Sequence, residues 1–266
     1  MNKLKKLFVN LQLFFSYREL LFNMARREIT QRYKQSALGY AWVILNPLFQ
    51  LLVMTFVFST IFKVSSFSVP YIIFLMVGLL PWNFFAQSLG SASNALVGNA
   101  NLITKIYFPR EILVYGTVIA KIVDFLYSCI VLIPFFIYFQ VILTWQILWV
   151  IPIFLIQLIL TAALSLIIAS FNLFYRDIQY LLTLIISLWF YLTPVLYPVE
   201  QFPEKYRFIF IFNPMSVLIN AYRQVVLGGL PPNLNSLGIA ATTSIALYIF
   251  AYLLFKKLEG QFADYV

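Results

Sequence analysis

Gly39-Tyr-Ala-Trp-Val-Ile-Leu-Asn-Pro-Leu-Phe-Gln-Leu-Leu-Val-Met-Thr-Phe-Val-Phe-Ser-Thr-Ile-Phe62 carries no charged side chain, and none occurs anywhere between Lys34 and Lys63. A helix rises about 1.5 Å per residue, so about 20 apolar residues cross the roughly 30 Å hydrocarbon core of a bilayer. This stretch has the length of one crossing, and the chain repeats the pattern. Long apolar runs predict further spans over Tyr71–Gly90, Ile112–Phe139, Ile147–Asn172, Tyr180–Tyr197 and Leu237–Phe255, of which only Ile112–Phe139 contains charges, Lys121 and Asp124. A small, polar stretch from Ser91 to Thr104 follows the second span, and a segment with charges and prolines, Pro198 to Asn235, separates the last two. Pro47, Pro81, Pro134, Pro152 and Pro194 fall inside spans; within a bundle, neighbouring helices and polar side chains can satisfy the carbonyls that a proline frees. The fold class read from this pattern is all-α integral membrane, one domain of six transmembrane helices. A cytoplasmic amphipathic segment (1–38) precedes the bundle (39–255), and a cytoplasmic tail (256–266) follows it. No fixed-period repeat and no separate soluble domain is visible.

Composition agrees. Of the 266 residues, 62% are hydrophobic and 10% charged, whereas a soluble domain carries about 25% charge to coat its surface. The net charge of +9 could suggest nucleic acid, but its placement argues for a membrane. Six crossings put both ends on one side, with Lys3, Lys5, Lys6, Arg18, Arg26, Arg27, Arg32, Lys34, Lys105, Arg110, Arg176, Lys256 and Lys257; the other side holds Lys63, Lys205, Arg207 and Arg223. That asymmetry makes both termini cytoplasmic. The opening Met1–Phe15 resembles a signal peptide, but Asn10 and Gln12 interrupt its apolar run and no small-residue cleavage site precedes Arg18, so it reads as retained. With no histidine and Cys129 as the only cysteine, no intrachain disulfide, no common zinc ligand set and no catalytic Cys/His or Ser/His pair can be assembled.

Between Tyr17 and Lys34 one stripe at spacings of three and four is polar: Glu19, Asn23, Arg26, Arg27, Thr30 and Lys34. Leu20, Leu21, Phe22, Met24, Ala25, Ile29 and Tyr33 fill the rest, with Arg18, Glu28 and Arg32 intruding. Such a helix lies in the membrane interface with its basic side toward headgroups or a cytosolic partner. Two loops face the same side. Asn101–Glu111 mixes Lys105, Arg110 and Glu111 with Ile106, Tyr107, Phe108 and Pro109; its apolar side chains either meet a protein partner or fold back under the bundle. Phe174–Ile178 places Arg176 and Asp177 at a membrane boundary. Lys121 and Asp124 stand three residues apart in the third span, near the midplane, where a charge costs about 2.5–3.5 kcal/mol to insert. They pair structurally, or they contact substrate or act as a gating pair.

Aromatic residues make up 19% of the chain. Trp42, Phe49, Phe56, Trp82, Phe84, Phe85, Trp189, Phe190 and Tyr191 cluster in the first, second and fifth spans. They fill a core or an interfacial belt, or they line a path through the bundle. In the outer segment, Phe208–Phe212 is too short to cross and reads as part of a re-entrant gate or of an ordinary folded loop.

Taken together, Arg32-Tyr, Leu38-Gly39 with Trp42 and Pro47, Gly78-Leu-Leu-Pro-Trp82, Lys105-Ile-Tyr-Phe-Pro-Arg110, Phe174-Tyr-Arg-Asp177, Thr193-Pro-Val-Leu-Tyr-Pro198, Asn213-Pro-Met215 and Tyr222-Arg223 form an ordered set. It resembles the membrane subunits of ATP-binding cassette exporters for bacterial cell-surface polysaccharides: O-antigen, capsule and teichoic acid. No single motif is specific; the order over nearly the whole chain is.

The resemblance implies a homodimer of a non-catalytic permease with two copies of a cytosolic ATPase, in the bacterial cytoplasmic membrane. ATP and Mg²⁺ belong to that ATPase and none to this chain, whose cargo is a lipid-linked glycan. It implies coupling to the ATPase through Lys105, Tyr107, Phe108, Pro109, Arg110 and Glu111, beside Arg26 and Arg27, with Arg176 and Asp177 as a second contact. It implies a substrate path along Trp42, Phe49, Phe56, Trp82, Phe85, Trp189, Phe190 and Tyr191, and short re-entrant helices after Tyr197. Independently, the chain has no Gly-x-x-x-x-Gly-Lys-Ser/Thr phosphate loop, so any ATP is hydrolysed by another chain. Two alternatives remain open: an exporter of small hydrophobic compounds with the same architecture, and an autonomous ion-coupled carrier. Carriers use ionisable residues within spans and inverted repeats; only Lys121 and Asp124 qualify here.

Overall fold

The computed structural model describes residues 17–34, 36–62, 69–203, 205, 210 and 212–265. Expectations for Met1–Phe15, Lys63, Glu204, Arg207 and most of Phe208–Phe212 lie outside them. The described residues form helices α1 (Arg18–Tyr33), α2 (Ala41–Thr55, running on through a π-helical turn Phe56–Ile61), α3 (Tyr71–Ser93) and α4 (Ala100–Lys105). They continue with α5 (Glu111–Ile130), α6 (Leu132–Tyr138), α7 (Val150–Phe174) and α8 (Ile178–Leu192). The last are α9 (Pro214–Val226), α10 (Leu234–Leu258) and the single turn α11 (Phe262–Tyr265).

Among the described residues, five helical stretches are long and apolar enough to cross a membrane: Ala41–Ile61, Tyr71–Ser93, Glu111–Tyr138, Trp145–Phe174 and Leu234–Tyr265. The predicted fifth span, Tyr180–Tyr197, is shorter than expected. Its helix stops at Leu192, because Pro194 drives the residue before it out of the helical region, and Thr193 is extended at φ −105°, ψ 133°. Fifteen residues rise only about 22 Å.

α3 is the hub, touching α2, α5, α7, α8 and α9, while α7 and α10 lie side by side along much of their length. Two apolar clusters stack along α3. One gathers Phe74, Leu79, Trp82, Phe85 and Leu89 with Leu160, Val195, Leu218 and Tyr222. The other gathers Ala92, Leu96 and Phe108 with Leu166, Leu173, Phe255 and Phe262. Inside the bundle a buried polar side chain ties α7 to α3 and α9: Gln157 donates to the Pro81 carbonyl at 2.7 Å and accepts from the Tyr222 hydroxyl at 2.9 Å. A buried amide left without such partners costs about 1–3 kcal/mol.

α1 does more than float at the surface. The offset of 92 residues that joins Arg32 to Asp124 also relates Met24 to Gly116, where an added Cβ would stand 2.9 Å from the Met24 Cβ. Equal offsets mean that α1 and α5 run parallel, side by side, over about 12 Å. The predicted polar stripe of α1 is exposed throughout, and Leu21 and Ala25 are buried. At the far end of α1, Gly39 takes φ +50° in the turn that redirects the chain into α2.

Candidate functional site

Three groups of side chains carry the polar chemistry of the bundle. The first is built on α5. Lys121 and Asp124 face one side of the helix at 3.4 Å, the pairing expected of residues three apart. Arg32 of α1 reaches the same carboxylate at 2.6 Å and holds Glu28 at 3.1 Å, while Lys121 donates to Gln87 of α3 at 3.1 Å. Glu28 and Arg32, which break the apolar side of α1 in the sequence, are thus the residues that neutralise the charges of the third span. Burial draws the Arg32 pKa down, but the adjacent Asp124 and Glu28 outweigh it and leave it raised. Beside this cluster a cavity of about 520 Å³ opens between α1, α3 and α5, lined among others by Arg27, Gln31, Gln87, Asn94, Thr117 and Lys121.

The second group sits where α8 ends. Arg223 of α9, counted from sequence among the basic residues of the outer side in a segment read as a re-entrant gate or a folded loop, is 8% exposed and so occupies a core position. Its guanidinium donates to the carbonyls of Pro194 and Val195 at 2.5 and 2.6 Å, and its carbon lies 3.6 Å from the centre of the Phe74 ring. Tyr71 donates to the next carbonyl, Leu196, at 2.7 Å. Three successive carbonyls freed by the helix break are therefore held by side chains of α3 and α9. Asn213 ties the same corner: it caps α9 by accepting from the Met215 amide at 3.1 Å, accepts from the Trp189 indole at 3.1 Å and donates to the Thr193 hydroxyl at 3.0 Å. Pro214 fits the first helical position after it. Asn213→Ala removes all three bonds and is expected to lower stability by about 1–2 kcal/mol, read as thermal unfolding in detergent. Asn213→Asp, which keeps the cap and the indole acceptor, is expected to lose less.

The third group is the pair of loops between spans. Lys105 ends α4 and is exposed, as are Ile106 at 57% and Tyr107 at 97%. Of the two alternatives open for the loop's apolar side chains, Phe108 takes the second: it folds back under the bundle, buried at 6% in the second apolar cluster. Pro109 and Arg110 are half-buried, and Glu111 is buried. Arg26, Arg27, Arg176 and Asp177 are exposed.

The aromatic set divides. Trp82 and Phe85 are 3% and 0% exposed and pack with half-buried Trp189 and Phe190: Trp82 lies 5.5 Å from Phe190, and Phe85 lies 5.2 Å from Trp189. In this conformation they are core. Trp42, Phe49, Phe56 and Tyr191 are exposed, on α2 and α8.

The family model described as ABC-2 type transporter matches residues 19–227. The chain belongs to that family. The match to the ABC-2 transporters begins in α1 and ends just after α9, so it contains the charge cluster, the Arg223 corner and both loops. Among curated proteins this ABC-2 transporter chain is similar to the O-antigen export system permease protein RfbA of Klebsiella pneumoniae. That protein is 35% identical over 250 residues, covering 92% of this chain and 94% of the relative. A Myxococcus xanthus protein of the same name is 31% identical, covering 94% and 96%. The polysialic acid transport protein KpsM of Escherichia coli is 23% identical, covering 88% and 91%. The ABC-2 transporter described here is accordingly a multi-pass membrane protein. Glu28, Arg32, Gln87 and Asn213 are the polar partners that sequence reading did not single out as site residues. Glu28 and Arg32 are signalled by the break in amphipathicity, and Arg32 and Asn213 also by the family motifs; nothing in the sequence singles out Gln87.

Proposed function

We propose that this chain is the permease subunit of an ATP-driven exporter that moves a lipid-linked cell-surface polysaccharide, of O-antigen or capsule type, across the bacterial cytoplasmic membrane. The observation that carries the reading is the likeness, over nearly the full chain, to relatives whose names specify O-antigen export. In this reading two copies of the chain assemble with two cytosolic ATPase subunits, which hold the ATP and Mg²⁺. α8 serves as the fifth of six crossings, both termini are cytoplasmic, and α9 is a re-entrant helix on the outer side. The chain performs no covalent chemistry. Its exposed Tyr107 and Lys105, with Arg26, Arg27, Arg176 and Asp177, meet the ATPase, and Pro109, Arg110 and Glu111 pass the displacement inward. Ile106 and Tyr107, adjacent and 57% and 97% exposed, together offer an apolar contact for a partner to cover. Trp42, Phe49, Phe56 and Tyr191 offer ring faces to a sliding glycan, and Phe190 packs against Tyr191 with ring centres 5.4 Å apart.

The test is recovery and transport. Tagged chain, extracted in mild detergent, is expected to bring a cassette-type ATPase with it, and the complex in vesicles is expected to export lipid-linked glycan only with ATP and Mg²⁺. Tyr107→Ala is expected to weaken ATPase recovery without altering the chain's own unfolding temperature. Solute movement down an ion gradient by vesicles holding this polypeptide alone would overturn the reading.

A further inference from the structure

The segment after α10 lies beyond the region matched by the family model and is expected from sequence to be a simple cytoplasmic tail. It is instead fastened at both ends. On one side, the Arg110 amide donates to the Glu259 carboxylate at 3.0 Å and the Arg110 guanidinium donates to the Glu259 carbonyl. Lys256 bridges Glu111 at 2.8 Å and Glu259 at 2.9 Å. On the other side, Phe262 is fully buried, with its ring 5.2 Å from Phe255 and 5.9 Å from Phe174, and Tyr265 stands 4.9 Å from the Phe174 ring. Phe174 closes α7 and opens the loop that bears Arg176 and Asp177. One short segment therefore joins the two loops that face the same side of the bundle.

We propose that Lys256, Glu259 and Phe262 are positioning residues that clasp the Lys105–Glu111 loop to the Phe174–Ile178 loop and to α10, so that a push on the first loop moves the bundle as one body. The proposal rests on the reading that the first loop receives the ATPase. Geometry supports the division of labour: Ile106 and Tyr107 project outward while Arg110 and Glu111, the next charged pair, turn inward to the clasp. A buried carboxylate such as Glu111 is held hard by its partner, because leaving it unpaired is costly. Displacement of the loop thus draws Lys256, and with it α10, which packs along α7. Without the clasp the loop yields locally and ATP is spent without moving the spans.

The experiment uses the whole complex in vesicles, with ATP hydrolysis and glycan export measured on the same sample. Lys256→Met and Phe262→Ala are expected to leave ATPase recovery and hydrolysis at the unaltered level while export per ATP falls about tenfold. Lys256→Arg and Phe262→Leu are expected to restore most of it. Should Phe262→Ala not accumulate in the membrane, Glu259→Gln, which keeps the shape and loses the charge, decides the matter by the same ratio. Export and hydrolysis declining in step, or neither changing, would overturn the clasp while the exporter reading stands. An unaltered chain that recovers no ATPase would sink that underlying reading, and the clasp with it.

Discussion

Gly78→Ala is expected to cripple export although it adds only one methyl group. A Cβ at this position would stand 2.6 Å from an Arg223 nitrogen and 3.2 Å from the guanidinium carbon, well inside contact distance. Neither side can yield cheaply. The guanidinium is pressed on Phe74 and committed to the Pro194 and Val195 carbonyls, and Ile219 closes the third direction at 3.4 Å. Displacing it leaves two carbonyls without donors and a cation without partners in an apolar surround. Each unpaired buried group costs about 1–3 kcal/mol, so a loss of about 3 kcal/mol or more is expected, enough to depopulate the native corner about a hundredfold. Export in vesicles and the unfolding temperature in detergent are both expected to fall. Arg223→Lys, which keeps the charge but cannot fork to two carbonyls, is expected to behave similarly. Gly90→Ala is the control: nothing lies within 4 Å of a Cβ there, and it is expected to be silent. Near-normal stability and export in Gly78→Ala would remove the Arg223 corner from the account.

The second large effect belongs to Asp124. Its carboxylate is the only acid within ion-pair reach of Lys121 among the described residues, and it also binds Arg32. Asp124→Asn leaves two cations facing each other beside the third span, and the loss is expected to be about 3 kcal/mol. Arg32→Met alone is expected to cost less, because Lys121 still balances Asp124. In the double variant Arg32→Met with Asp124→Asn the two losses are expected not to add, since the shared bond is counted once. A cycle of unfolding temperatures that closes additively would show that the Arg32–Asp124 contact contributes nothing. Export by Asp124→Asn, corrected for the amount of folded chain, separates a purely structural pair from one that also meets substrate or gates the path; unchanged corrected export removes the functional role.

The architecture was legible in proportion to how local its causes are. Charge-free runs set four of the long helices within a few residues, and the polar stripe of α1 from Glu19 to Lys34 is exposed as its spacing requires. The short α8 was also written in the chain, at Pro194, but a hydropathy run is continuous across that proline and hides the break. What the sequence conceals is pairing at a distance. Nothing local says that Arg32 faces Asp124, that Arg223 folds inward onto carbonyls rather than outward to water, or that Phe108 turns under the bundle while Tyr107 beside it does not. Trp82 and Phe85 carry the ring chemistry of a glycan path, and only packing shows them walled in. The loop residues Lys105 and Arg176 stand exposed at the ends of helices, where charge alone places them.

The parallel seating of α1 on α5 also bears on how the protein is made. Synthesis runs from the first residue onward at about 5–20 residues per second. Arg32 therefore leaves the ribosome roughly 5–18 seconds before Asp124, across the offset of 92 residues. Because Arg32 already exists when α5 is made, the Asp124 carboxylate need not enter the bilayer without its cation, which lowers the cost of inserting a bare charge. The cation is made before the acid that it neutralises.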